Sequence, residues 1–198
     1  MIKRKTQTDE RNMATRVSIC AARKEDAPFI AKTVLAAMGL GTMGPDAEED
    51  PALVAICKME DTLYSYRNSL IAKVDGKNAG CLVAYPGDIY EESRKKTFAL
   101  IGKIRGRELE AGTEMETFPG EYYLDSVAVE PEFRGYRLAE RLMEEGFARA
   151  KESGSGRIGL IADNHRDWLR RYYEGMGFRE SEHMLLFGEE YVRMYREL

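Results

Sequence analysis

Residues 123–139 read Tyr123-Leu-Asp-Ser-Val-Ala-Val-Glu-Pro-Glu-Phe-Arg-Gly-Tyr-Arg-Leu-Ala139. Small and apolar residues fall on both faces of the run Tyr122 to Val129, which predicts a strand buried on both sides and central in its sheet. Pro131 to Gly135 turns the chain. From Leu138 to about Lys151 the apolar residues Ala139, Met143, Phe147 and Ala150 recur at helical spacing, with Glu and Arg on the other face. The first amides of such a helix have no internal acceptor, and the helix dipole adds partial positive charge there. A strand feeding through an Arg-Gly turn into a helix start is therefore a seat for a diphosphate, to which Arg134 and Arg137 add cationic donors. Taken alone, the stretch also fits an ordinary strand-to-helix turn carrying surface arginines.

Working outward, the chain divides into alternating helical and extended segments. Val17 to Ala21 reads as a strand and Lys24 to Met38 as a helix whose apolar face carries Phe29, Ile30, Val34, Leu35 and Met38. Gly39 to Pro45 is a loop rich in breakers, and Pro51 to Glu60 a short helix with proline near its start. Ser69–Val74 and Gly80–Tyr85 are β-rich runs joined through Asp75-Gly76, a tight-hairpin signal. Ile89 to Ile104 reads as a helix, 105–120 as a polar loop, and Arg157 to Ala162 as a strand. Asp163 or Asn164 is expected to cap a helix ending near Gly175. Phe178–Phe187 and Tyr191–Tyr195 pair as a final hairpin around Gly188. Residues 1–14 read as a flexible N-terminal arm, with Met13 as an alternative start, and 15–198 as one domain. The order β-α-α-β-β-α-β-α-β-α-β-β predicts a layered α/β fold.

A second run, Tyr172-Tyr-Glu-Gly-Met-Gly-Phe178, ends a helix that follows a strand. With the first stretch it makes an ordered set that resembles the GNAT superfamily of N-acetyltransferases. The family's phosphate turn, Arg/Gln-x-x-Gly-x-Gly/Ala, is matched by Arg134-Gly-Tyr-Arg-Leu-Ala139. Its Val-x-Val-x-Pro is matched by Val127-Ala-Val-Glu-Pro131, and its Tyr-Glu-x-x-Gly-Phe by Tyr173-Glu-Gly-Met-Gly-Phe178. Tyr191 to Leu198 is similar to the family's last strand. The motifs cover 122–139 and 158–178, and the element order follows over 17–198. Two departures stand out. Arg137 occupies the place of the family's middle glycine, and Asn164 lies nine positions before Tyr173, further than the family norm.

The resemblance implies a mixed, mostly antiparallel central sheet flanked by helices, and acetyl-CoA as co-substrate. It implies that the backbone of Val127, Ala128 and Val129 pairs with the pantetheine amides, and that Arg134, Gly135, Tyr136, Arg137, Leu138 and Ala139 hold the diphosphate. Asn164 is a further cofactor contact by the same analogy. Tyr173 is implied as general acid for the leaving thiolate, while Tyr172 points elsewhere on the helix.

An amine with an ordinary pKa of about 10.4 arrives charged at neutral pH, so a base must act. By period two, Asp125 shares a face with Tyr123, Val127 and Val129. A carboxylate on a central strand needs a reason to be there. We read Asp125 as base or substrate anchor, with a salt bridge to a neighbouring arginine as the alternative and Glu121 as second choice.

Several function classes are excluded or discounted. The formal charge is -4, from 30 basic and 34 acidic residues, so no basic coat for nucleic acid is expected. No apolar run approaches the ~20 residues that span a bilayer. Cys20, Cys57 and Cys81 are scattered, and no export signal precedes them, which together predict a cytoplasmic protein with reduced thiols. Two histidines in no ligand spacing predict no metal. Gly39-Leu-Gly-Thr-Met-Gly44 matches a dinucleotide fingerprint in letters only, since it follows a helix and precedes the acidic run Asp46–Asp50. That run reads as a solvated loop, or as a lure for a cationic amine. Asp61, Tyr64 and Tyr66 are placed near the acceptor by analogy alone.

The leading expectation is acetyl transfer to a small-molecule or peptide amine by direct attack in a ternary complex, because no cysteine lies in the motifs. A non-catalytic acyl-CoA sensor and an interaction domain are the other two readings. The final hairpin offers a homodimer surface.

Overall fold

A computed structural model of the chain describes residues 15–109, 111–186 and 188–198; the expected arm at 1–14 lies outside them. Among the described residues, seven strands form one sheet in the order β1-β2-β3-β4-β5-β7-β6. They are β1 (Val17–Ala21), β2 (Ser69–Val74), β3 (Lys77–Pro86), β4 (Glu121–Val129), β5 (Arg157–Asp163), β6 (Arg179–Leu186) and β7 (Glu189–Glu197). All neighbours pair antiparallel except β4 and β5. The helices are α1 (Ala27–Ala37), α2 (Pro51–Cys57), α3 (Tyr90–Arg105), α4 (Leu138–Glu152) and α5 (Asp167–Gly175).

Turn chemistry sets the β2–β3 hairpin. Asp75 and Gly76 both take positive φ, 48° and 83°, the pair that a two-residue turn between right-twisted strands requires. Proline and a cap start α2: Asp50 accepts hydrogen bonds from the amides of Ala52 and Leu53 at 3.0 and 3.2 Å. Asp50, part of the acidic run, is thus a cap, and it also pairs with Arg105. The helix stops at Cys57, before the predicted Glu60.

Two apolar cores lie on opposite faces of the sheet. One is built with α1, α2 and α3, around Ile30, Ile56, Ile71, Tyr85 and Tyr123. The other is built with α4 and α5, around Leu82, Leu138, Leu142, Met143 and Phe178. Burying each large side chain contributes roughly 1.5–3 kcal/mol. The buried stripe of α4 is Leu138, Leu142, Met143, Gly146 and Ala150, rotated from the predicted one. Gly146 decides this: a β-carbon there would stand 3.0 Å from Leu82 and 3.2 Å from Leu124, so its absence lets the helix sit flush on β3 and β4. Phe147 turns half outward, under the Arg196 guanidinium at 4.7 Å.

Neither Asp163 nor Asn164 caps α5. The helix begins three residues later, after Arg166, because Asp163 accepts from the His165 amide at 2.9 Å and pairs with Arg166 at 2.8 Å, which forms a separate turn.

Candidate active site

The site begins with an irregularity in β4. Val83 faces Ser126, but Ala84 faces Leu124, so Asp125 is one residue more than β3 can match. Such a bulge bends and twists its strand. It also corrects the period-two reading. Tyr123 and Asp125 lie towards the α1–α3 side, whereas Val127 and Val129 pack on the α4 core.

On its other side β4 pairs with β5 only from Glu121 to Tyr123, opposite Arg157 to Gly159. Beyond that the strands part, and β5 runs on with β7 to Asp163. The Glu130 amide donates to the Ala79 carbonyl at 2.8 Å, which fixes the phase of the antiparallel ladder. Bonding alternates along such a strand, so Ala128 turns its main-chain groups to β3, while Val127 and Val129 turn theirs into the gap. The gap therefore has a peptide edge that an extended, amide-bearing ligand can pair with.

The gap leads to the start of α4. The first return bond of that helix runs from the Arg141 amide to the Arg137 carbonyl. Among the described residues, no hydrogen bond takes up the amides of Leu138, Ala139 or Glu140. Arg134, Gly135, Tyr136 and Arg137 are all exposed around them. Arg137 does not fill the seat: its side chain is 77% exposed and is held by Glu140. Its backbone explains the family's glycine, since Arg137 sits at φ 55°, ψ 36°, the left-handed region. A cleft of about 580 Å³ continues between α4 and α5, lined by Arg137, Glu144, Phe147, Arg171, Tyr172 and Met176 among others.

Tyr173 is buried in the α4–α5 core, its ring 5.9 Å from Phe178 and 5.6 Å from Tyr172. Burial pushes its hydroxyl up to about 12, so it carries its proton at neutral pH. Asn164 sits at the β5–α5 junction with both amide atoms engaged: its nitrogen donates to Glu190 at 3.0 Å and its oxygen accepts from Arg170 at 3.2 Å.

Asp125 is half-buried and accepts from the Tyr85 hydroxyl at 2.5 Å and the Ser126 hydroxyl at 2.7 Å. Desolvation, followed by the nearby charge of Glu116, raises it to about 7, while the two hydroxyl donors pull the other way. Among the described residues Asp125 has no arginine partner; Glu121 takes that role instead, with Arg193.

Sequence reading missed the surroundings of Asp125. Tyr90 and Tyr123 each donate to a different oxygen of Glu116, both at 2.7 Å. The rings of Tyr85, Tyr90 and Tyr123 form a triangle with centroids 5.8 to 6.4 Å apart. Tyr64, placed near the acceptor by analogy, is buried in the same core, and burial with the charges of Asp125 and Glu116 holds its hydroxyl well above the ordinary tyrosine value. Asp61 and Tyr66 face solvent partners, Lys96 and Glu60. The only sequence signal for this cluster was the density of tyrosines at 85, 90 and 123.

Comparison with known proteins follows the same lines. The family model described as Acetyltransferase (GNAT) family matches residues 40–178. Among solved structures, a crystal structure of an acetyltransferase superposes with a TM-score of 0.74 at 27% identity, over 91% of this chain and 98% of that one. An N-acetyltransferase from Staphylococcus aureus Mu50 gives 0.73 at 22%, over 90% and 99%. The NatC complex bound to Gag peptide and CoA gives 0.54 at 15%, over 92% and 98%. No curated protein matches the sequence. Among the described residues, no helix is long and apolar enough to cross a membrane, and no group of three or more His, Cys, Asp or Glu is placed to hold a metal ion.

Proposed function

The chain belongs to the acetyltransferase (GNAT) family, and from that premise we propose that it moves the acetyl group of acetyl-CoA to the amine of a small molecule or peptide, by direct attack in a ternary complex. One observation carries the reading. The open peptide edge at Val127 and Val129 runs into the unbonded amides of Leu138, Ala139 and Glu140. A pantetheine arm has amides for the first and the diphosphate has charge for the second. An amide facing the gap is also placed to donate to the thioester oxygen as charge builds there.

The remaining chemistry falls to two side chains. Asp125 accepts a proton from the ammonium group: an N–H bond breaks, and an O–H bond forms on the carboxylate. The freed lone pair attacks the thioester carbon, the C–S bond breaks, the sulfur takes the proton of the Tyr173 hydroxyl, and the surplus proton on the new amide nitrogen passes to the phenolate and restores that hydroxyl. A base titrating near 7 and an acid near 12 match those tasks at neutral pH. We place the protein in the cytoplasm, with 15–198 acting as one domain and the β6–β7 hairpin as the surface for a second copy.

Acetyl-CoA should raise the melting temperature in proportion to its logarithmic excess over Kd. Thiol release should then appear with at least one member of a panel of polyamines, aminoglycosides, amino acids and peptides. A thermal shift without thiol release on any amine would favour the sensor reading, and no shift at all would remove both.

A further inference from the structure

The carboxylate that serves as base has a second carboxylate for a neighbour, and the two are tied together by tyrosines. Tyr85 of β3 donates to Asp125, while Tyr90 of α3 and Tyr123 of β4 donate to Glu116. The three rings pack on one another, so the two acids share one aromatic wall. Glu116 comes from the loop before β4, and that loop is clamped from two sides. Arg94 of α3, buried, donates to the Glu114 carbonyl at 2.6 Å, and Arg193 of β7 donates to the Glu116 carbonyl at 3.2 Å. A surface loop would not need two buried guanidinium groups to hold its backbone. The clamps make sense if the place of the Glu116 carboxylate matters.

Resting on the acetyl transfer proposed above, we infer that Glu116 is a positioning residue for that reaction: through Tyr90 and Tyr123 it holds the tyrosine wall that carries the Tyr85–Asp125 hydrogen bond, and it sets a second negative charge beside the base. Around Asp125, the Ser126 and Tyr85 hydroxyls donate to it and pull its carboxyl down without undoing the rise, and Tyr64 is uncharged. Lys32 of α1, which packs against β4, is paired with Glu130 at 2.6 Å. Arg94 stacks over Tyr90 and Phe98 and bonds the loop backbone. Tyr191 of β7 is raised by burial first, then by Asp163 and Glu189, with the Glu116 charge a smaller contribution.

The test is a titration of ¹³C-carboxyl-labelled full-length protein by NMR, with the Asp125 signal assigned by its loss in Asp125→Asn. The expected midpoint for Asp125 lies near neutrality in the wild type and falls by one unit or more in Glu116→Gln, which keeps the size of the side chain and removes its charge. An unchanged midpoint in Glu116→Gln, or a wild-type midpoint in the ordinary carboxylate range, would overturn the inference. Should Glu116→Gln not fold, Tyr90→Phe, which takes one hydroxyl away from Glu116, decides: a moved Asp125 midpoint supports the inference, and an unmoved one refutes it. The titration needs neither acceptor nor turnover, so its result is separate from that of the thiol-release panel.

Discussion

Arg193 on β7 reaches across the intervening strand β5 to grip both carboxylate oxygens of Glu121 on β4, at 2.7 and 2.5 Å, with both side chains almost fully buried. Thr117 and the Phe118 amide each add a bond to the same carboxylate at 3.0 Å, and the guanidinium lies 4.4 Å from the Phe118 ring. This pair fixes the end of β4 where the sheet is continuous, just before it opens. Replacing Arg193 by Met should cost about 3–5 kcal/mol, because Glu121 is left buried and uncompensated. Adding Glu121→Gln to that variant should restore part of the loss. Urea unfolding of the single and double variants measures both values, and equal losses would disprove the coupling.

Arg137 supplies a second prediction. In the left-handed region a β-carbon costs roughly 1–2 kcal/mol, against 0.5–1 kcal/mol for the freedom that glycine regains in the unfolded chain. Arg137→Gly should therefore be at least as stable as the wild type, and more stable than Arg137→Ala by about 1 kcal/mol, since both lose the Glu140 contact but alanine alone keeps the strain. Thermal melts of the three proteins rank them. Alanine at or above glycine would contradict the strain argument.

For Tyr173, the ring and the hydroxyl have separable roles. Tyr173→Phe keeps the packing on Phe178, so the melting temperature should move by less than about 2 °C. Loss of the acid should lower kcat by roughly 10²-fold, within the usual range for general acids, while acetyl-CoA affinity stays unchanged. Steady-state kinetics with an acceptor found in the panel, beside calorimetric binding, separates the two. Full turnover in the Phe variant would remove Tyr173 from the chemistry.

Asp125 makes the fold itself sensitive to pH. Its folded-state value is raised above the ordinary ~3.9, so the folded state holds the proton longer than the unfolded chain does. Stability is therefore highest with respect to this group below about pH 4, falls between about pH 4 and 7, and is level above that. Asp125→Asn, which cannot ionise, should be more stable than the wild type at pH 8 by on the order of a few kcal/mol. The gain should shrink to nothing near pH 4. Denaturant titrations at four pH values trace the curve, and a gain that does not vary with pH would show that charge is not its source.

Local rules carried most of the fold. Asp75-Gly76, the proline at 51 and the strand–turn–helix at 122–151 each specify structure within a few residues, and all three appear where the sequence placed them. The stripe of α4 was misjudged because Gly146 looks neutral in a helical pattern, and its meaning lies in Leu82 and Leu124 on other strands. The bulge at Asp125 was invisible for a similar reason: it is a mismatch between β3 and β4, not a property of either strand. Glu116 escaped notice because Tyr90 and Tyr123, which define its role, stand 26 and 7 residues away on different elements.

The surplus residue in β4 has a consequence for how the protein tolerates change. Excise Asp125, and the ladder with β3 would run without interruption, Ser126 still opposite Val83 and Val127 still opposite Leu82. Val127 and Val129 would keep their side chains on the α4 core and their amides towards the gap, but the bend that the extra residue puts into β4 would be lost. The strand that now peels away would have every reason to lie flat against its neighbour. A deletion of that size, harmless in most loops, should thus seal the crevice while sparing the hairpins at either end.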